Sequence, residues 1–171
     1  MRFSFSQPVA VAPDAALAAY ADPAFYEHRE QTGDIALVGV VGHQADGPRE
    51  WIEVRYRFVG NVSSAVRAVI DPAKMSWVTR TDIHRAERRT TFTVVPDHYA
   101  DRLEAHGSFV YRPDPPSSSP ETATAADVVI EGDLAVRAFL VARTVERSIV
   151  SGLRTYLTAE VLTLPRFSSA G

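Results

Sequence analysis

Apolar residues recur at alternate positions from the start of the chain: Phe3, Phe5, Val9 and Val11 share one side with Gln7, and Ser4, Ser6, Pro8 and Ala10 share the other. This period of two predicts a half-buried strand. The pattern then changes. In "APDAALAAYADPAFYEHREQTG", Pro13 suits a first helical turn, and Asp22 followed by Pro23 reads as an N-cap and restart, so two short helices are expected. Gly33 stands where a left-handed residue would end the second.

Alternation returns from Ile35 to Val136. "IALVGVVGH" leads through a turn at Ala45 to Pro48 into "EWIEVRYRFV", which places Ile52, Val54, Tyr56 and Phe58 against Glu53, Arg55 and Arg57 on the opposite face. A helical turn is expected between Ser63 and Ile70. Next, "KMSWVTRTDIH" lines up Met75, Trp77, Thr79, Thr81 and Ile83, and "RRTTFTVVP" and "AHGSFVYRP" continue the series. "ATAADVVIEGDLAV" turns Ala126, Val128, Ile130, Leu134 and Val136 inward, with Asp127, Glu131 and Asp133 outward. The Pro/Ser-rich stretch from Pro113 to Thr124 reads as a mobile loop. The order of elements is strand, two short helices, about six strands and one long helix, an α+β chain built on an antiparallel sheet.

The long helix is expected over Val141 to Leu162. At about 100° per residue, Val141, Ala142, Val145, Ile149, Gly152, Leu153, Tyr156 and Ala159 share one broad face, and Arg143, Glu146, Arg147 and Arg154 point to water. Thr144, Ser148, Ser151, Thr155 and Thr158 form a hydroxyl stripe between the two. This stripe is either a solvated flank or the edge of a pocket. Gly152 costs about 1 kcal/mol in a helix interior, so either a close neighbour or a space for a ligand is expected beneath it.

Composition narrows the class. At 171 residues, 46% hydrophobic and 23% charged, the chain suits one domain, taken as residues 1–167 with a flexible tail at 168–171. A net charge of −3 gives no general attraction to nucleic acid. With no cysteine there is no disulfide or thiolate chemistry. No leader pattern opens the sequence and no apolar run reaches about 18 residues, so no integral membrane segment is expected and a cytoplasmic location is. All but one of the 18 basic residues are Arg, Lys74 being the exception, as in GC-rich bacterial genomes.

Catalytic motifs are missing from this pattern. His28, His43, His84, His98 and His106 have no metal-ligand spacing, and no nucleotide-binding or nucleophile-elbow motif occurs, so neither a metal nor a cofactor is expected. "HRAERR" at His84 to Arg89 reads as a solvated turn, with a phosphate or lipid-headgroup contact as the alternative. Candidate pocket residues come from the strand faces, Tyr56, Trp77, His106 and Tyr111, and from the helix, Ile149, Gly152, Leu153, Tyr156 and Glu160. Tyr56, His106 and Glu160 are the candidate acids or bases, and catalytic residues are otherwise unassigned.

The order that runs from "PVAVAPDAALAAYADPAFYEHR" to "IEGDLAVRAFLVARTVERSIVSGLRTYLTAE" resembles the helix-grip superfamily of START lipid-transfer domains, the birch-pollen allergen family and polyketide cyclases. The terminal helix resembles that of an actinobacterial family of uncharacterised proteins within it. The resemblance implies a seven-stranded curved antiparallel sheet around the C-terminal helix, with a hydrophobic cavity between them. It carries no invariant catalytic set. The leading expectation is a carrier of a small hydrophobic molecule such as a lipid, fatty acyl or polyketide-like compound. The alternatives are a cyclase or dehydratase, and an interaction module with a filled core that serves a protein partner or a homodimer.

Overall fold

The computed structural model describes residues 1–27, 33–46, 49–62, 64–67, 70–116, 119, 122–137 and 142–168. The elements in order are β1 (Arg2–Val9), α1 (Pro13–Ala21), α2 (Ala24–Glu27), β2 (Ile35–Gln44), β3 (Glu50–Phe58), α3 (Ser64–Arg67), β4 (Ser76–His84), β5 (Arg89–Pro96), β6 (Leu103–Pro113), β7 (Ala126–Val136), α4 (Ala142–Val161) and α5 (Leu164–Ser168). All seven strands form one antiparallel sheet in the order β1-β7-β6-β5-β4-β3-β2. From β2 onward each strand pairs with the next, and β1 closes the row against β7. A meander of this kind needs only short connections.

Local chemistry explains the elements. Asp22 caps α2 through its carboxylate, which accepts from the Ala24 N–H at 2.9 Å. The Tyr26 hydroxyl donates to the Tyr20 carbonyl at 3.0 Å and ties α2 to α1. Gly33 takes a φ of +58°, the left-handed value expected of it. Two register shifts interrupt β2, between Leu37 and Gly39 and between Val40 and Gly42. They bend this edge strand and leave Val38 and Val41 exposed.

The sheet is most tightly pinched where Gly107 of β6 pairs with Gly132 of β7. A Cβ on Gly107 would lie 2.2 Å from the Glu131 carbonyl oxygen and 2.7 Å from the Phe92 ring, and one on Gly132 would lie 2.6 Å from the ring of Phe3. The two phenylalanines occupy the space that side chains at these positions would take. The core lies on this inner face, where Phe3, Ile52, Val54, Phe92, Phe109, Tyr111, Val128 and Ile130 meet Leu17 and Tyr20 of α1 and Tyr156, Leu157 and Val161 of α4.

Several expectations fall partly outside the described residues: His28 and the rest of 28–32, Gly47 and Pro48, Ser63, Ala68 and Val69 of the Ser63–Ile70 turn, Val141, part of the Pro113–Thr124 loop and residues 169–171. Within the described residues α4 matches the expected helix to within a residue at its C-terminus. The short α5 that follows, with Leu164 fully buried, was not expected from the sequence.

Candidate functional site

The inner faces of β3 and β4 carry an aromatic wall. Alternation turns Tyr56 and Trp77 inward, and their cross-strand pairing stacks the rings at 5.9 Å and 21°. Tyr156 of α4 meets the edge of Tyr56 at 5.9 Å and 85°. Helix and sheet therefore touch through three aromatic side chains.

The grip is uneven along α4. Its C-terminal half is sealed, with Tyr156, Leu157, Glu160 and Val161 buried. Its middle is not: Ile149, Val150, Gly152 and Leu153 are only half-buried although they turn toward the sheet. The helix packs chiefly on β7 and β1 at one side of the sheet. Under it, the inward residues Trp77, Thr79 and Thr81 of β4, a central strand, stay partly exposed. A close-packed core would bury all three. At Gly152 the helix is not packed either, because a Cβ added there would meet nothing within 4 Å. The glycine therefore does not serve a close approach of sheet to helix. It borders open space.

The sealed end of this space holds polar groups. Tyr111, 1% exposed, has a hydroxyl without a hydrogen-bond partner among the described residues. Burial pushes its pKa well above the usual phenol range, the neighbouring Thr90 hydroxyl opposes this, and the charge of Glu160 adds to the rise. Glu160 is itself 4% exposed, a buried carboxylate on an otherwise apolar stretch of helix. Rings of Tyr20 and Tyr111 lie 5.9 Å apart, which places α1 over this end.

Seven of the nine residues selected from the sequence, Tyr56, Trp77, Tyr111, Ile149, Leu153, Tyr156 and Glu160, lie between sheet and helix, and Gly152 borders open space on the same helix. His106 lies elsewhere. Ala105, Phe109 and Tyr111 are buried on the inner face, so the strand period turns His106 outward, where it is exposed between Thr93 and Asp133. Of the hydroxyl stripe, Thr144, Ser148, Ser151 and Thr155 are exposed, as on a solvated flank, and Thr158 is half-buried. Glu146 is half-buried and accepts from the Val136 N–H at 3.0 Å, where the helical wheel had placed it in water. The basic turn is neutralised within the chain: Arg85 binds Glu50 through two hydrogen bonds, Arg88 pairs with Asp14 at 2.8 Å, and Arg89 approaches Glu87 at 4.0 Å. Thr90, buried next to Tyr111, was the polar wall residue that sequence reading overlooked. Its signal was its position in β5, two residues before the inward Phe92.

Among the described residues no group of three or more His, Asp or Glu is arranged to hold a metal ion, and no helix is long and apolar enough to cross a membrane. No family model matches the sequence. No curated protein matches it either, so the narrower actinobacterial resemblance rests on its helix motif alone. Solved structures do resemble it. The Zhui aromatase/cyclase from Streptomyces sp. R1128 aligns with 97% of this chain and 94% of its own at 13% identity and a TM-score of 0.63. Norcoclaurine synthase from Thalictrum flavum aligns with 94% of this chain and 83% of its own at 12% identity and a TM-score of 0.60. A START superfamily protein from Mycobacterium smegmatis aligns with 94% and 96% at 14% identity and a TM-score of 0.55. The seven-stranded antiparallel sheet, the short helices after β1 and the long terminal helix make up a helix-grip fold, the fold the chain shares with these structures.

Proposed function

We propose that the chain binds a small hydrophobic molecule in the space under α4, with an apolar ring or chain against Tyr56, Trp77 and Tyr156 and a polar end toward Tyr111 and Glu160. The observation that carries this reading is Gly152, an inward-facing helix residue with open space beneath it. Evolution toward a solid core would favour alanine or a larger residue there, since glycine costs about 1 kcal/mol. The fold neighbours named as aromatase/cyclase and START superfamily proteins support the same class of ligand. The Tyr111 hydroxyl, which has no well-formed hydrogen bond among the described residues, favours one orientation, because a ligand oxygen that pairs with it removes the cost of leaving it unsatisfied.

A second reading, a cyclase-type enzyme, is favoured by Glu160. A carboxylate buried beside a tyrosine is placed for general acid-base chemistry on a bound carbonyl compound. The outward position of His106 removes it from that role. Glu160→Gln separates the two readings: a carrier keeps its ligand, whereas an enzyme keeps binding and loses turnover on a polyketone substrate.

Native and denatured masses of the purified protein test the leading reading. An excess mass that is lost on denaturation, and absent from Gly152→Phe, is the expected result. A clean apo mass that persists after incubation with a lipid and aromatic extract would overturn it.

A further inference from the structure

The sheet forks between β5 and β6. Their ladder runs from Arg89↔Val110 to Val94↔Ala105 and stops there. Both strands continue: β5 stays paired with β4 through Val78↔Val95 and Trp77↔Pro96, and β6 stays paired with β7 through Glu104↔Ala135 and Leu103↔Val136. Each strand keeps its other neighbour while the two part from one another. The separation leaves a cleft of about 380 Å³, lined by Thr93 to Pro96 on one side and Leu103 to His106 on the other. It is large enough to pass a drug-sized molecule.

The fork joins two environments. On the outer face Val95 and Glu104 are exposed, and on the inner face Pro96 pairs with Trp77, the aromatic wall of the space under α4. Its far side is closed by the turn from Asp97 to Arg102, which is held shut by side chains. Asp97 accepts from Ser76 at 2.6 Å and binds Arg55, and the Tyr99 hydroxyl accepts from the Asp71 N–H at 3.1 Å. Tyr99 holds a φ of +61°, which is costly for a bulky residue. Strain at Tyr99 works against the closed turn, and three polar contacts oppose it.

From this geometry we infer that the fork between β5 and β6 is a lateral passage from solvent to the space under α4, with the Asp97–Arg102 turn as its flap. The inference rests on the ligand site proposed above. An apolar molecule slides between the two unpaired strand edges past Pro96 and Leu103, and reaches the Tyr56–Trp77 wall without α4 lifting.

The chain has no cysteine, so a pair introduced at the fork reports cleanly. Val95→Cys with Glu104→Cys, positions that would face each other if the ladder continued, closes the passage when oxidised and reopens it on reduction. The probe is anilinonaphthalene sulfonate, followed by stopped-flow fluorescence, and the signal scored is the part that Gly152→Phe abolishes. Oxidation is expected to slow both association and dissociation by at least about ten-fold while the ratio of the two, and so Kd, is unchanged. Leu103→Trp, which plugs the fork without a disulfide, is expected to slow both rates in the same way. Equal rates in the oxidised, mass-verified disulfide form and in Leu103→Trp would overturn the passage and leave the site standing. A reduced protein with no Gly152-dependent signal would overturn both.

Discussion

Tyr111 separates the cost of function from the cost of folding. Among the described residues its buried hydroxyl has only the adjacent Thr90 hydroxyl to interact with and no well-formed hydrogen bond, and a buried hydroxyl left unsatisfied costs about 1–3 kcal/mol. Tyr111→Phe is therefore expected to leave chemical-denaturation stability unchanged or to raise it by up to about 1 kcal/mol, and to weaken ligand binding about ten-fold. A loss of stability would mean that the hydroxyl has a structural partner. Asp97 gives the opposite case. The Ser76 hydroxyl and then the Arg55 guanidinium hold its carboxyl below the usual range. A folded pKa below the unfolded one means that the contribution is present above about pH 4. It is lost as pH falls through the depressed folded value. Asp97→Asn is expected to lower Tm at pH 7 and to match the wild type near pH 2, and a difference that persists at low pH would contradict the ion pair. His106 shows where sequence reading ends at this scale. A histidine inside an alternating strand is inward or outward by one residue of register, and only the burial of Ala105 and Tyr111 decides it.

At the scale of elements, two glycines give opposite expectations for the same substitution. Gly107→Ala forces a Cβ into the Glu131 carbonyl and the Phe92 ring, and overpacking of this kind costs about 1–3 kcal/mol. Gly152→Ala meets nothing and recovers about 1 kcal/mol of helix propensity. Thermal melts of the two variants are expected to shift in opposite directions, and a destabilised Gly152→Ala would show that helix and sheet are in contact. Most of the elements were legible in the sequence, the strands and α4 from their periods and the short helices after β1 from Pro13 and the Asp22–Pro23 pair, whereas α5 was not. Strands such as β3 and β6 alternate, β2 is broken by its two register shifts, and α4 shows its apolar face at Val145, Ile149 and Tyr156. What the period does not encode is how closely α4 approaches the sheet. Gly152 suited a tight contact and a cavity equally well until the distances beneath it were known. The fork at Val94 and Ala105 was illegible for a similar reason, since β5 and β6 have ordinary strand patterns on both sides of the point where they separate.

For the whole molecule, polarity along α4 organises everything else. Its C-terminal half is buried in the core through Tyr156, Leu157 and Val161, whereas Ile149, Gly152 and Leu153 in its middle, like Trp77, Thr79 and Thr81 of β4, are only half-buried. The uncharged hydroxyl of Tyr111 and the carboxylate of Glu160 lie at the closed end. The turn at Asp97 to Arg102 and the fork lie at the other end of the same strands, β5 and β6. On the reading proposed here the protein is a container with a polar base, an aromatic wall and an opening in its side. The most direct test is a titration of anilinonaphthalene sulfonate into the wild type and Gly152→Phe, with thermal melts of both. Saturable binding of one molecule per chain to the wild type, lost in a variant whose Tm is not lowered, is the expected result. Equal binding by the two proteins would contradict a site under α4.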